Sequence, residues 1–222
     1  MDVSRISEFK LFIAQQVTPA LNDIENLEEK NRKHLQKLVF SNLVDRFDHL
    51  VDKLILDNCR EDVLVKKAVG DKASPMSELD FIQLLIEAGD FQGALDRRLQ
   101  DKLRTSTLSQ NHARKLNTLL GLFDNVGDVW NKPRVTPVTG KILESFKVQK
   151  QQIPATVCGY ADWLYSRRNA IVHGAGTQSY SQRDIDRIKK AHRVNLRKTF
   201  RVTVASSRNA STFYLSLCAL IE

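Results

Sequence analysis

The spacing of apolar residues along the chain predicts a series of helices. The clearest stretch is Leu35–Leu56, where Phe40, Leu43, Phe47 and Leu50 recur every three or four residues. This spacing places them on one face of a helix. The same period, over shorter stretches, predicts helices at residues 3–16, 19–30, 60–69, 77–88, 91–104, 109–124, 141–151, 154–172 and 181–196.

Capping residues and prolines mark the predicted breaks between these helices. Thr18 is a typical helix cap and Pro19 suits the first helical position, so a new helix is predicted to begin there. Ser77 is predicted to cap the helix that follows it. Residues 131–140 contain two prolines and a glycine, which favours an irregular connection. We interpret this connection as the link between two halves of one bundle.

The C-terminal residues have a mixed pattern. Residues 200–204 alternate between apolar and polar like a strand, whereas Phe213–Ile221 fits a helix or a strand. The sequence therefore predicts an all-α fold, with a helical bundle over residues 1–196. Residues 197–222 are predicted to form a C-terminal extension whose structure the pattern leaves open.

Composition narrows the class of protein. Hydrophobic residues make up 42% of the 222 residues, which is enough for a packed core and excludes disorder. No apolar run near either end approaches the roughly 18 residues that span a bilayer, and residues 1–5 lack the order of a secretory signal. We therefore expect a soluble, cytoplasmic protein without a membrane partner. Three widely spaced cysteines, none in a C-x-x-C pair, predict buried thiols.

The net charge of +8 is concentrated in one segment. Residues 166–201 hold ten basic and two acidic side chains, so this segment alone carries the excess. Such an excess is typical of a protein that binds a polyanion or an acidic partner. If the last predicted helix continues to residue 201, five basic residues lie on one side of it, as a stripe that can follow an RNA backbone. They are Arg183, Arg187, Lys190, Arg197 and Arg201.

The familiar catalytic motifs are missing from the sequence. It contains no glycine-rich phosphate loop, no G-x-S-x-G and no H-E-x-x-H, and its five histidines do not stand at metal-ligand spacing. Asp45, Asp48, His49 and Asp52 share one side of the long helix, and we interpret them as a solvated face with local ion pairs. The sequence therefore predicts no metal site and no cofactor.

One segment near residue 170 carries candidate chemistry. Arg168 comes four residues after Leu164 and falls on the apolar face of its helix. A guanidinium there must be paired or must face a polar cavity, because unpaired burial is costly. Asn169 and His173, four residues apart, share another face, so Asn169 is positioned to hold the His173 ring. Gly174 and Gly176 then favour the end of the helix.

Arginine and histidine together suit phosphate chemistry on RNA. Histidine transfers protons near neutral pH, and arginine stabilises a phosphate that gains charge in its transition state. RNA supplies its own nucleophile, the 2′-hydroxyl. Arg168 and His173 are separated by about 7.5 Å along the helix and about 140° around it. Two copies across a twofold axis would bring them together better, which favours a composite site in a dimer.

The run Arg168–His173 resembles the R-x4-H motif of the HEPN superfamily, including the polar residue after the arginine. This resemblance implies a helical bundle that forms a homodimer, with a metal-independent endoribonuclease site at the dimer cleft. The family includes bacterial toxins and phage-defence ribonucleases, so an antitoxin or another defence-system protein is an expected partner. The resemblance assigns catalysis to Arg168 and His173 and the polar position to Asn169. Arg167, which stands at R-x5-H, is the alternative arginine and otherwise an RNA-binding residue.

A second interpretation is a non-catalytic HEPN-like subunit that binds a protein partner or RNA through its basic face. In that case Arg168 pairs with a carboxylate, and His173 caps the C-terminal end of its helix. The chain is longer than a minimal HEPN bundle. Either residues 60–125 or the tail after residue 197 is then an addition, and the sequence leaves its role open.

Overall fold

The computed structural model describes residues 2–70, 78–87, 90–148, 152–174 and 178–222. Within these ranges no strand is present, only two isolated antiparallel bridges, Val135 with Ile142 and Ser179 with Thr199. The prediction of an all-α fold is confirmed. The helices are α1 (Ser4–Phe12), α2 (Thr18–Glu25), α3 (Glu29–Asp57), α4 (Asp62–Val69), α5 (Glu78–Glu87), α6 (Phe91–Leu103), α7 (His112–Leu120), α8 (Val157–His173), α9 (Gln182–His192) and α10 (Val204–Ile221).

The long helix α3 lies at the centre of the bundle. It packs against α1, α2, α7, α8 and α10, while α4, α5 and α6 form a side cluster that reaches α3 through α6. The apolar face predicted for α3 is buried, with Phe40, Leu43 and Leu54 at most 1% exposed. Phe47 stacks on Tyr214 of α10 at 4.1 Å between ring centroids. Both ends of the chain therefore contribute to one hydrophobic core.

The structure resolves the C-terminal residues as a core helix. α10 begins with a capping box in which Thr203 and Ser206 each bond the other's backbone N–H. Phe213 and Leu217 of α10 are fully buried. The alternating pattern before α10 belongs to an extended segment that lies beside residues 178–180, where Phe200 N–H donates to the Gln178 carbonyl at 2.9 Å.

The predicted helix break before Pro19 is wrong. α1 continues through a single π-helical turn, Ile13–Val17, directly into α2, and Thr18 makes no capping hydrogen bond. Pro19 has no N–H to donate within this continuous helix. The wider π turn before it changes the hydrogen-bond pattern at that point. The chain therefore stays helical across a residue that usually starts a new helix.

The helix predicted at residues 141–151 is also wrong over its described part, residues 141–148. This segment pairs with the preceding residues as an irregular hairpin, in which Thr136 N–H donates to the Lys141 carbonyl at 3.1 Å and Leu143 N–H donates to the Arg134 carbonyl at 2.8 Å. Backbone pairing within the hairpin satisfies the groups that a helix would have used. Residues 149–151 and the predicted cap Ser77 lie outside the described residues.

Gly140 allows this hairpin to dock on α10. Its φ is 74°, and a Cβ there would overlap the carbonyl oxygen of Asn209. We expect Gly140→Ala to lower the free energy of unfolding by about 3 kcal/mol, from backbone strain and overpacking together. Gly127, with φ 68° and nothing within 4 Å of such a Cβ, is the matched control. Gly127→Ala should cost only about 1 kcal/mol. Chemical denaturation checks both values, and equal costs would contradict the docking argument.

The last predicted helix ends earlier than residue 196. Arg193 adopts a left-handed conformation, with φ 55°, and ends α9 after His192. The chain then turns inward and buries Val194, which is 5% exposed. Arg197 and Arg201 therefore leave the helix that carries Arg183, and the prediction of one continuous basic stripe is wrong.

Two further predictions concern burial and membranes. Cys59, Cys158 and Cys218 are all buried free thiols, as predicted, and burial raises the pKa of Cys218 to about 12. In the part of the chain that the structure describes, no helix combines the length and the apolar character needed to cross a bilayer.

Candidate active site

Helix α8 carries the predicted catalytic residues Arg168, Asn169 and His173. It packs against α3, α7 and α9. Thr156 caps its start by accepting a hydrogen bond from Gly159 N–H at 3.1 Å. Gly159 is required there, because a Cβ would stand 2.6 Å from the Thr156 hydroxyl oxygen. His173 forms the last turn of α8 and is exposed.

A cleft of about 1010 Å³ lies between α3, α7, α8 and α9. Asn169 and His173 line it together with Arg183 and Arg187. Residues that the sequence assigned to catalysis and to RNA binding therefore meet in one cleft. His173 and Arg183 are both exposed there, so a ligand from solvent reaches them directly.

Arg168 is not among the described residues that line this cleft. Its Nε lies 2.5 Å from Asp45 Oδ1 of α3, and its Nη1 donates to Asn169 Oδ1 at 2.9 Å. The expectation that a guanidinium on this face must be paired is confirmed. Asn169 is thus bonded to Arg168, and no hydrogen bond joins Asn169 to His173 within the described structure. Arg168 and His173 of one chain face different surroundings.

Arg187 ties α9 to α8 at the floor of the cleft. Its Nη1 donates to Asp162 Oδ2 at 2.5 Å, and its Nη2 donates to Ser166 Oγ at 2.7 Å. His192 Nε2 lies 3.2 Å from the same Asp162 oxygen. Burial by itself raises the pKa of Asp162, but the hydrogen bond to His192 and the charge of Arg187 outweigh it and hold that pKa below its ordinary value. The charge of Arg187 is therefore satisfied inside the chain.

A second set of ion pairs forms the α3–α7 side of the cleft. Asp48 Oδ1 lies 2.6 Å from His112 Nδ1 and 2.8 Å from Lys115 Nζ, which also lies 2.7 Å from Asp52 Oδ1. Burial alone would raise the pKa of Asp48, but His112 and Lys115 lower it to about 2. The His112 ring stacks on Tyr165 with centroids 4.8 Å apart.

The interpretation of the α3 carboxylates as a solvated face with local pairs is therefore wrong for Asp48 and Asp52. Both are less than one third exposed, and both pair with a different helix. Sequence reasoning missed their partners because α7 lies more than 60 residues further along the chain. One signal was available. His112 and Lys115 stand three apart and so share the face of α7 that also buries Leu119, where buried polar side chains need partners.

Arg167 lies in a separate environment from Arg168. It is 4% exposed, and its guanidinium carbon lies 4.7 Å from the Trp163 ring centroid and 5.0 Å from that of Phe200. Its Nη2 donates to the carbonyl of Arg201 at 2.6 Å. The residues predicted to bind RNA therefore lie on two separate surfaces. Arg183 and Lys190 are exposed on α9, whereas Arg167, Arg197 and Arg201 line a second cavity.

The described residues contain no group of three His, Cys, Asp or Glu side chains that could hold a metal ion. Comparison of the chain with protein-family models, with curated proteins and with solved structures finds no match. The resemblance to the HEPN superfamily therefore depends on the residues from Arg168 to His173, and it stays a prediction.

Proposed function

We propose that this chain is a metal-independent endoribonuclease of HEPN type in which His173 transfers protons at the scissile phosphate. The main support for this proposal is the position of His173. His173 is exposed at the end of α8 and opens onto a cleft that also contains Asn169 and the exposed Arg183. A proton-transferring side chain and a cation in one accessible cleft suit the cleavage of a phosphodiester.

The reaction uses the nucleophile that RNA carries. The 2′-hydroxyl oxygen attacks the adjacent phosphorus, and the bond from phosphorus to the 5′ oxygen breaks. His173 accepts the proton from the attacking hydroxyl or delivers one to the leaving oxygen. The products are a 2′,3′-cyclic phosphate end and a 5′-hydroxyl end. Positive charge beside the phosphate stabilises the negative charge that builds up in the transition state.

The separation of Arg168 from His173 within one chain supports a complete site that is formed between two copies of the chain. In one chain Arg168 faces Asp45, whereas His173 faces the cleft. A twofold dimer brings the Arg168 side of one copy toward the His173 side of the other. We therefore propose a homodimer with a composite Arg168–His173 site, in which Asn169 orients Arg168 through their hydrogen bond. An antitoxin that neutralises this activity is then an expected partner.

Cleavage of RNA in excess EDTA tests the proposal. We expect cleavage to continue at the rate measured with magnesium, because neither the nucleophile nor the proton transfer at His173 requires a metal ion. The products should carry 2′,3′-cyclic phosphate ends, which a phosphatase does not remove until the ring is opened by acid. Activity that disappears in EDTA and returns with magnesium would contradict the proposal.

We expect the exposed face of α9 to bind the RNA backbone. Replacing Arg183 and Lys190 together by Gln should weaken binding about equally for RNAs of different sequence, because phosphate contacts carry no sequence information. The slope of log affinity against log salt should flatten by roughly one to two units. The matched control is Lys66→Gln with Lys67→Gln on α4, which removes the same charge from another exposed face. Equal salt slopes in the two double variants would exclude α9 as the RNA-binding face.

A second candidate function is a non-catalytic subunit that binds a partner through the same face. The ion pair between Arg168 and Asp45 favours it, because that pair satisfies the arginine within one chain. Expression separates the two candidates. Induction of the wild-type chain should stop cell growth if it is a ribonuclease, whereas a non-catalytic subunit should leave growth unchanged.

A further inference from the structure

The second cavity has a volume of about 600 Å³ and lies beside residues 196–201. Three arginines line it, Arg167, Arg197 and Arg201, and its described lining includes no aspartate or glutamate. Its walls also contain the rings of Tyr160, Trp163, Tyr180 and Phe200. The cavity is therefore strongly positive at some points and aromatic at others.

Arg167 is the unusual member of this set. Its charge is buried, and the described residues give it no carboxylate partner. Its Nε is buried without a hydrogen bond, and among the described residues its guanidinium donates one hydrogen bond, to the Arg201 carbonyl. Burial lowers the pKa of Arg167 below its ordinary value. A buried cation without a counter-ion is costly, so such groups are normally paired.

Aromatic contacts offset only part of this cost. The guanidinium carbon of Arg167 lies within about 5 Å of the ring centroids of Phe40, Trp163 and Phe200. Each such contact, when desolvated, contributes about 2 kcal/mol, which is similar to a charged hydrogen bond, but it supplies no counter-charge. The rings hold the guanidinium in place at the cavity wall but supply no negative charge. An anion in the cavity would supply it.

We infer that this cavity binds a small phosphate monoester, with the phosphate near Arg167, Arg197 and Arg201 and an unsaturated ring among the aromatic side chains. A described lining with three arginines and no carboxylate suits a dianion better than a singly charged carboxylate. The forked guanidinium matches the spacing of phosphate oxygens. The volume falls within the range of small-molecule sites, and the flat walls accept a ring.

This site is separate from the cleft that contains His173. Among the described lining residues the two cavities share Tyr180 alone. The inference therefore does not depend on RNA cleavage, and either proposal can fail without the other.

Isothermal titration of the full chain with phenyl phosphate tests the inference. We expect saturable binding with one ligand per chain. Inorganic phosphate should bind more weakly because it lacks the ring, and benzoate should bind about tenfold more weakly because it carries one charge. Phenol should not bind. The inference is overturned if phenyl phosphate shows no saturable binding at millimolar concentration, or if benzoate binds as tightly.

Arginine variants test whether phenyl phosphate binds in this cavity. Arg167→Met retains the apolar stem and removes the charge, so it should lower the affinity for phenyl phosphate at least about tenfold. Arg197→Gln with Arg201→Gln, at two exposed positions, should have a similar effect and decides the question if Arg167→Met does not fold. Arg208→Gln is the control, because Arg208 pairs with Glu25 outside the cavity. The inference is overturned if the Arg197→Gln, Arg201→Gln variant binds phenyl phosphate as tightly as wild type. It is also overturned if that variant loses affinity for RNA but not for phenyl phosphate.

Discussion

His173→Ala should reduce RNA cleavage by about 10²–10⁴-fold while leaving RNA affinity and its salt dependence nearly unchanged. The expected size follows from the loss of proton transfer to or from the reacting oxygens. His173 is exposed at the end of α8, so removing its ring leaves the core intact. Single-turnover cleavage and a separate binding assay measure the two effects. If the cleavage rate and the RNA affinity fall by the same factor, His173 contacts RNA without taking part in the chemical step.

Two further experiments test the interpretation of the His173→Ala result. His34→Ala removes another exposed histidine, on α3 and outside the lining of the cleft, and should leave cleavage unchanged. Mixing His173→Ala chains with Arg168→Ala chains tests the composite site, because half of the sites in a mixed dimer contain both wild-type residues. Partial recovery of activity in the mixture is the expected result. If Arg168→Ala alone retains full activity, Arg168 is not the catalytic arginine and the composite site is excluded.

The sequence predicted those features of the fold that depend on local periodicity. The apolar face of α3 is visible in the spacing of Phe40, Leu43 and Phe47, and all three are buried. The position of Arg168 on an apolar face predicted that its charge must be satisfied, and Asp45 satisfies it. In both cases residues within a few turns of one helix carry the information.

Features that depend on distant partners were not predictable in this way. The hairpin around Gly140 replaces a predicted helix because its backbone groups pair with residues before the turn and dock on α10. The end of α9 was missed because Arg193 adopts the left-handed conformation that usually marks a glycine or asparagine. The floor of the cleft joins Asp162 to Arg187, 25 residues later, and no local pattern reveals which carboxylate a given arginine meets.

This floor also explains how the cleft keeps its shape. His173 is at the end of α8 and Arg183 is near the start of α9, so their relative position depends on how these two helices are held together. Asp162 of α8 pairs with both Arg187 and His192 of α9 and so forms a buried polar link between the two helices. A catalytic cleft needs such support, because small displacements of its side chains reduce the rate.

Asp162→Asn should lower the free energy of unfolding by about 3 kcal/mol, a fall in melting temperature of about 6–12 °C. Asp162 is 1% exposed, and its loss leaves Arg187 and the buried His192 without their carboxylate. This expected loss in the free energy of unfolding is at the lower end of the range for a broken buried ion pair. The reason is that the Arg187 side chain is 28% exposed and regains some hydration. Asp45→Asn is the control, since Asp45 is a 42% exposed partner of Arg168 and should cost less than about 1 kcal/mol.

The pH dependence of the same variant distinguishes the loss of charge from a packing defect. The folded-state pKa of Asp162 lies below its unfolded value, so the stability that its charge contributes is complete above about pH 4 and is lost as the pH falls below that value. The difference between wild type and Asp162→Asn should therefore shrink as the pH is lowered from 7 toward 3. A difference that stays constant over this range would show that the carboxylate acts through its shape and hydrogen bonds and that its charge contributes nothing to holding α8 against α9.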